Sequence, residues 1–179
     1  MKGRVYSMGT LKAQCLDRIK KATPRIPVIG VFAPCDPRID QDSRTRAQNI
    51  IGMVANAIAG QVVLPDKTPV PVVYSSVLVD SESQADVVAQ QFRQAGVNIL
   101  VCVPDTWAFP QLTAISVLQQ FPKETPLNIT CGNSAPKPGV VYAHATAGAI
   151  SQYGKLVSLN VGNWADTGAN PKMSEKTAK

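Results

Sequence analysis

Five short runs of apolar residues recur along this chain, and segments with helical spacing separate them. A strand that is buried on both faces has no polar positions, so continuous apolar runs of this length are typical of strands in a parallel sheet. The runs cover residues 28–33, 70–79, 97–103, 127–131 and 156–161. Their alternation with helical segments predicts a single, doubly wound (Rossmann-like) α/β domain with a five-stranded, mainly parallel sheet.

Two helices are predicted in the first half of the chain. Between the first and second runs, apolar residues repeat at helical spacing from Ala47 to Ile58, and Gly60 is the expected C-terminal stop. The capping box Ser81-x-x-Gln84 begins the next helix, and Gly96 ends it.

Three further helices are predicted elsewhere. Pro110 suits the first turn of one, with Leu112, Ile115 and Leu118 facing inward, and Pro122 ends it. Another covers residues 142–152 and stops at Gly154, and a leading helix covers residues 8–21. We therefore expect residues 1–26 to be a helical lead-in, 27–168 to be the α/β domain, and 169–179 to be a tail or the start of a linker to further domains.

Composition excludes several classes of protein. With 179 residues, of which 45% are hydrophobic, the chain can bury one core. No apolar run approaches the length of a membrane-spanning helix, so we expect a soluble protein without a membrane partner. The net charge of +6 comes largely from the first 25 residues and the tail, where no aromatic residues interleave with the cations. Solvated ends are therefore favoured over a nucleic-acid surface, and we expect no nucleic-acid partner.

The four cysteines are widely spaced, without a C-x-x-C pair, and the N-terminus lacks the apolar core of a secretion signal. We expect reduced thiols in the cytoplasm. Most of them lie in or beside apolar runs, most clearly Cys102, where a buried and inert cysteine is the common case.

Polar and aromatic residues follow the apolar runs. Asp36 and Arg38 follow the first run, Asp105 and Trp107 the third, and Asn133 the fourth. Because the carboxyl ends of parallel strands share one edge of the sheet, this pattern predicts a cleft for a polar ligand. For the loops after the fourth and fifth runs, the alternative that Gly and Asn only turn the chain stays equally open.

Several catalytic motifs are missing from the sequence. The turn over residues 33–38 has no glycine, so it does not match the dinucleotide fingerprint, and neither a phosphate-binding G-x-x-x-x-G-K-[ST] loop nor a G-x-S-x-G elbow is present. His144, the only histidine, lies within a predicted helix, where a structural or exposed role is favoured over catalysis.

Two cations, Arg44 and Arg46, lie in the first turn of the helix that follows the first apolar run, near the positive end of the helix dipole. Such cations need either a bound anion or an acidic side chain as a partner. Asp40 and Asp42 are the expected partners, and Asp42 or Ser43 is the expected cap of this helix.

Taken together, the motifs resemble the N-terminal domain of the L-fucose isomerase family. The resemblance covers residues 27–168, with its pieces in the same order and at similar spacing. The pieces are Ile29-Gly30-Val31, Asp36-x-Arg38, Val103-Pro104-Asp105-Thr106-Trp107, Gly132-Asn133, Pro138-Gly139-Val140-Val141-Tyr142-Ala143 and Ser151-Gln152-x-Gly154.

The resemblance implies an aldose–ketose isomerase that converts L-fucose to L-fuculose, and often D-arabinose to D-ribulose, through an enediol with Mn²⁺. It implies a three-domain subunit and a hexamer whose active sites lie at subunit boundaries. The metal ligands and the acid/base carboxylates belong to the later domains. By motif, the arginine and tryptophan that reach a neighbour's site correspond to Arg38 and Trp107, and Asp36 and Asn133 lie on matching loops as further candidates for substrate binding.

The chemistry of these residues agrees with that implication. A guanidinium donates to sugar hydroxyls, and an indole covers the apolar C–H face of a sugar ring. With one histidine and no convergent carboxylates, this chain is expected to bind no metal and to be inactive alone. The alternatives are a stand-alone sugar-binding module and an interaction subunit that docks onto a separately encoded catalytic chain.

Overall fold

Five parallel strands form one sheet with the spatial order β2-β1-β3-β4-β5. The structure is a computed structural model that describes residues 26–109, 113–132, 138–155, 157–162, 164–165 and 172–173. The strands are β1 Ile29–Phe32, β2 Val72–Tyr74, β3 Ile99–Cys102, β4 Leu127–Gly132 and β5 Val157–Gly162, and a short antiparallel pair consists of β6 Trp164–Ala165 and β7 Lys172–Met173. The predicted α/β class and the five parallel strands are confirmed.

The second strand is much shorter than its apolar run. The sequence predicts a strand over residues 70–79, but β2 ends at Tyr74, where Ser75 and Ser76 interrupt the run. The chain returns to the sheet at Val79, which donates from its N–H to Ala33 O and accepts from Cys35 N, each at 2.9 Å. One apolar run therefore makes two separate contacts with the β1 segment.

Four helices lie in the described residues: α1 Gln41–Gln61, α2 Glu82–Gln94, α3 Ala114–Leu118 and α4 Val140–Gln152. The predicted cap of α2 is confirmed, since the Ser81 hydroxyl accepts from Gln84 N at 3.4 Å. Gly96 and Gly154, the predicted terminators, adopt the left-handed φ angles of 73° and 69° that favour glycine.

Two predictions about α1 are wrong. The helix continues through Gly60 to Gln61, and Val62 N donates to Ile58 O at 2.8 Å, so the glycine is not a stop. The cap is Asp40, whose carboxylate accepts from Ser43 N at 2.9 Å. Asp40 precedes the first helical residue in an extended conformation, which is the geometry that an N-cap needs.

The predicted helix over residues 8–21 and the positions Pro110 and Leu112 lie outside the described residues. So do most of the predicted tail and the N-terminal lead-in. Leu118 of α3 is buried as predicted, whereas Ile115 is only partly buried.

Helices cover both faces of the sheet. α1 packs Ile50, Ile51 and Val54 against the face that carries Val31 and Val101. The opposite face is covered by α2, α3 and α4. Its core includes Phe32, Leu100, Cys102, Ile129, Phe92, Val117 and Ile150. Neighbouring residues of a strand point to opposite faces, which is why Val31 and Phe32 belong to different cores.

Gly30 lets α2 pack closely on β1. A Cβ atom at this position would lie 2.7 Å from the ring of Phe92 and 2.8 Å from Val97. Phe92 is fully buried and makes an edge-to-face contact with Phe32 at 6.4 Å between ring centroids. The missing side chain of Gly30 therefore provides the space for a large core residue.

Of the helices in the described ranges, none combines the length and the apolar composition that crossing a membrane requires.

We predict opposite effects for two glycine substitutions. Gly30→Ala should lower the free energy of unfolding by about 1–3 kcal/mol, because the new methyl group overpacks the Phe92 site. Gly52→Ala in α1, where a Cβ would meet nothing within 4 Å, should raise it by about 0.5–1 kcal/mol. Urea unfolding of both variants measures the difference, and a Gly30→Ala variant as stable as the parent would contradict the packing argument.

Candidate functional site

The strand order reverses between β1 and β3. From β1 the chain continues to β2 on one side, whereas β3 lies on the other side of β1 and leads to β4. In open parallel sheets, ligands bind at the carboxyl ends of the strands at such a switch point, because the diverging loops leave a crevice there. The loops that follow β1 and β3 carry three of the four predicted site residues, Asp36, Arg38 and Trp107.

These two loops are joined directly. The backbone N–H of Asp36 donates to the carbonyl of Trp107 at 2.7 Å. The structure thus brings Asp36, Arg38 and Trp107 together at one edge. The fourth predicted residue, Asn133, lies outside the described residues.

Asp36 clamps Arg38. Its Oδ1 accepts from Arg38 Nε at 3.0 Å and from Arg38 N at 2.8 Å, and its Oδ2 accepts from Arg38 Nη2 at 2.7 Å. The Arg38 side chain is 75% exposed, whereas that of Asp36 is 5% exposed. Hydrogen bonds from Arg38 hold the pKa of the Asp36 carboxyl below its ordinary value. Asp36 therefore orients Arg38, and Arg38 presents the rest of its guanidinium to solvent.

An aromatic residue supports Arg38 as well. The guanidinium carbon lies 5.3 Å from the centroid of the Phe109 ring, within the range of a cation–π contact. Tyr142 at the start of α4 meets Phe109 edge-to-face, at 6.5 Å between centroids and an interplanar angle of 81°. Sequence reasoning missed Phe109. The available signal was a second aromatic residue two positions after Trp107, because alternate residues of an extended segment point to the same side.

The cations of α1 pair with loops of the sheet. Arg44 Nη2 lies 2.6 Å from Asp80 Oδ2, and Arg46 Nε lies 2.9 Å from Asp105 Oδ2. The predicted ion pairs with Asp40 and Asp42 are therefore wrong. The first turn of α1 stands over the carboxyl edge of the sheet, where Asp80 and Asp105 begin their loops, and Asp40 accepts from the backbone of the helix instead.

The cysteines of the described residues are buried and carry free thiols: Cys35, Cys102 and Cys131. Burial raises the pKa of Cys35 and Cys131 to about 11, and it also raises the pKa of Cys102. Thiols with such values stay protonated near neutral pH, so they are poor nucleophiles. His144 is exposed on α4, as predicted.

The donor set that the described residues of this edge provide does not suit Mn²⁺. Within the described residues, no three side chains of His, Cys, Asp or Glu lie close enough together to hold a metal ion. The carboxylates of Asp36, Asp80 and Asp105 each face an arginine instead. The described part of the edge is therefore equipped to bind a polar ligand through donated hydrogen bonds and an aromatic surface.

The fold and this edge define a doubly wound α/β domain whose predicted site residues lie at the switch point of its sheet. A family model described as the first N-terminal domain of L-fucose isomerase matches residues 26–179. The chain belongs to this family, as the motifs predicted. Comparison of the chain with curated proteins gives no significant match.

We predict that the Asp36 clamp makes stability depend on acid pH. The pKa of an aspartate in an unfolded chain is about 3.9. Because the folded pKa is lower, the unfolded chain binds more protons as the pH falls through this range, and the contribution of Asp36 is lost. Between about pH 6 and about pH 3, the free energy of unfolding should therefore fall less in Asp36→Asn than in the parent.

Urea unfolding at both pH values tests this prediction. Arg38→Gln removes the main cause of the shift, so it should also weaken the pH dependence. Equal pH dependence in the parent and both variants would contradict the clamp.

Proposed function

We propose that this chain is the substrate-binding first domain of an aldose–ketose isomerase that acts on L-fucose and related aldoses. Arg38 and Trp107 bind the sugar, Asp36 positions Arg38, and Asn133 adds a polar contact. The observation that carries the proposal is an exposed arginine, clamped by a buried carboxylate, beside an exposed tryptophan at the switch point. Membership of the family supports it.

The chemistry of a free sugar fits these side chains. The N–H groups of Arg38 that Asp36 does not occupy can donate to adjacent hydroxyl oxygens. Trp107, a residue that is 45% exposed, can cover a C–H face of the sugar with its ring. The clamp and the Phe109 contact restrict Arg38 before binding, so less side-chain entropy is lost when the sugar binds. Because Asp36 already balances the charge of Arg38, a neutral sugar is favoured over a phosphorylated one.

The reaction itself needs groups from elsewhere. Isomerisation through an enediol requires proton transfer at two adjacent carbons, and Asp36 and Asp105, the buried carboxylates of this edge, are held by arginines. In this proposal, Mn²⁺ and the acid/base carboxylates belong to later domains, and this chain alone is inactive. Arg38 extends into solvent, which suits a site that a neighbouring subunit of a homo-oligomer completes, a hexamer by family resemblance.

Substitution in the full-length protein tests this function. With Mn²⁺ present, Arg38→Gln should lower kcat/KM for L-fucose about ten- to a hundredfold, because charge-assisted hydrogen bonds to the sugar are lost. Trp107→Ala should lower it about tenfold, mainly through a higher KM. Isomerisation is measured from the rate of ketose formation.

Matched controls lie away from the edge. Arg93 is an exposed arginine of α2 that hydrogen-bonds Gln120, and Tyr153 is an exposed aromatic residue beyond the end of α4. Arg93→Gln and Tyr153→Ala should leave kcat/KM unchanged. If Arg38→Gln and Trp107→Ala behave like these controls, the proposed substrate role is wrong.

The mass of the protein in its native cells separates this proposal from the alternatives. A species several-fold heavier than 19.1 kDa agrees with a domain of a larger isomerase. A species of 19.1 kDa that binds monosaccharides in calorimetry would instead favour a stand-alone sugar-binding module. A species of 19.1 kDa that copurifies with a separate catalytic chain would favour a docking subunit.

A further inference from the structure

Arg46 and Asp105 form an ion pair that is buried at the switch point. Arg46 Nε donates to Asp105 Oδ2 at 2.9 Å, and the two side chains are 3% and 0% exposed. Burying both charges has a desolvation cost that their attraction often only offsets, so apolar residues of similar shape commonly stabilise a fold equally well. Stability alone is therefore a weak reason for an ion pair at this place.

Asp105 is also held through its backbone. Its carbonyl accepts from the N–H of Gly139, just before α4, at 3.0 Å. The approach is close, since a Cβ atom at Gly139 would lie 1.8 Å from the carbonyl oxygen of Pro104. The loop after β3 is thus held by charge from α1 and by a backbone hydrogen bond from the start of α4.

The same loop leads to the proposed sugar-binding residues. Trp107 lies two residues after Asp105, and its carbonyl accepts from Asp36 N at 2.7 Å. Asp36 in turn clamps Arg38. A continuous series of contacts therefore runs from the buried ion pair to both exposed side chains.

We propose that Arg46 and Asp105 are positioning residues, which fix the loop after β3 and through it the arrangement of Trp107 and Arg38. This inference deepens the proposed function and rests on it for the role of those two side chains. An ion pair constrains the direction of both partners, whereas apolar side chains can pack in several orientations. The pair therefore provides a fixed loop geometry that a hydrophobic contact would not.

Replacing both charges by apolar residues of similar shape tests the proposal. The parent and all variants carry the substitution Trp164→Phe, so that Trp107 is the single tryptophan of this chain and the source of its tryptophan fluorescence. In Arg46→Met/Asp105→Leu, thermal unfolding should stay cooperative, with a midpoint within about 5 °C of the parent. Quenching of Trp107 fluorescence by acrylamide should rise about twofold, because the loop samples more conformations. In the full-length protein, KM for the aldose should rise about tenfold, with a smaller change in kcat.

The neighbouring ion pair provides the control. Arg44 and Asp80 also join α1 to a loop at this edge, at 2.6 Å, but their side chains are 27% and 21% exposed. Arg44→Met/Asp80→Leu should leave the quenching of Trp107 and the KM as in the parent. If Arg46→Met/Asp105→Leu also leaves the quenching unchanged, the positioning role is overturned.

If the double variant does not fold, a second measurement on a milder variant tests the same proposal. Asp105→Asn keeps the shape of the side chain and removes its charge, and amide hydrogen exchange at Asp36 and Gly139 should then be about tenfold faster. Unchanged exchange overturns the proposal. If replacing Arg38 and Trp107 leaves turnover unaffected, the proposed function fails, whereas fluorescence and exchange still decide whether the ion pair positions the loop.

Discussion

The parallel pairing of β1 with β3 is the constraint on which the site depends. Ile29 pairs with Ile99 and Phe32 with Cys102, so both strands end level at the carboxyl edge. The two loops therefore leave the sheet side by side, and the N–H of Asp36 reaches the carbonyl of Trp107. A shift of one residue would turn every side chain of a strand to the opposite face of the sheet, so the two buried cores keep this register in place.

Arginine–aspartate pairs organise the edge that this register creates. Asp36, Asp80 and Asp105 each face an arginine, and the pairs differ in burial. The pair at Asp105 is buried and lies beneath the loop, whereas the pair at Asp36 has an exposed arginine. The same chemistry thus serves two purposes, fixing a loop in the interior and orienting a donor at the surface. The proposed function assigns a neutral sugar to this edge, and the chain belongs to the family of the first N-terminal domain of L-fucose isomerase.

Much of the fold could be predicted from the sequence, because the signals are local. The five apolar runs mark the five strands, and Ser81 and Gly96 mark the ends of α2. The predictions failed where a local signal competes with context. Gly60 lies inside α1, which ends one residue later at Gln61. Residues 70–79 give only a three-residue strand, since the strand ends before Ser75.

The candidate site was only partly predictable, since its contacts join distant parts of the chain. The places of Asp36, Arg38 and Trp107 directly after apolar runs singled them out. For Arg44 and Arg46, however, the sequence pointed to the nearest carboxylates. Their actual partners are Asp80 and Asp105, which lie 36 and 59 residues away along the chain. The contact of Phe109 with Arg38 likewise needs the loops after β1 and β3 to meet.

The fold class, the approximate places of the five parallel strands, the family and the residue types of the candidate site were all predictable from the sequence, because periodicity, caps and motif order depend on neighbouring residues. Only the packed chain shows which charges pair, which arginine is buried and which is exposed, and that Asp36 accepts three hydrogen bonds from Arg38. Those outcomes depend on strand order and register, which set the distance between loops that the sequence separates by about 70 residues.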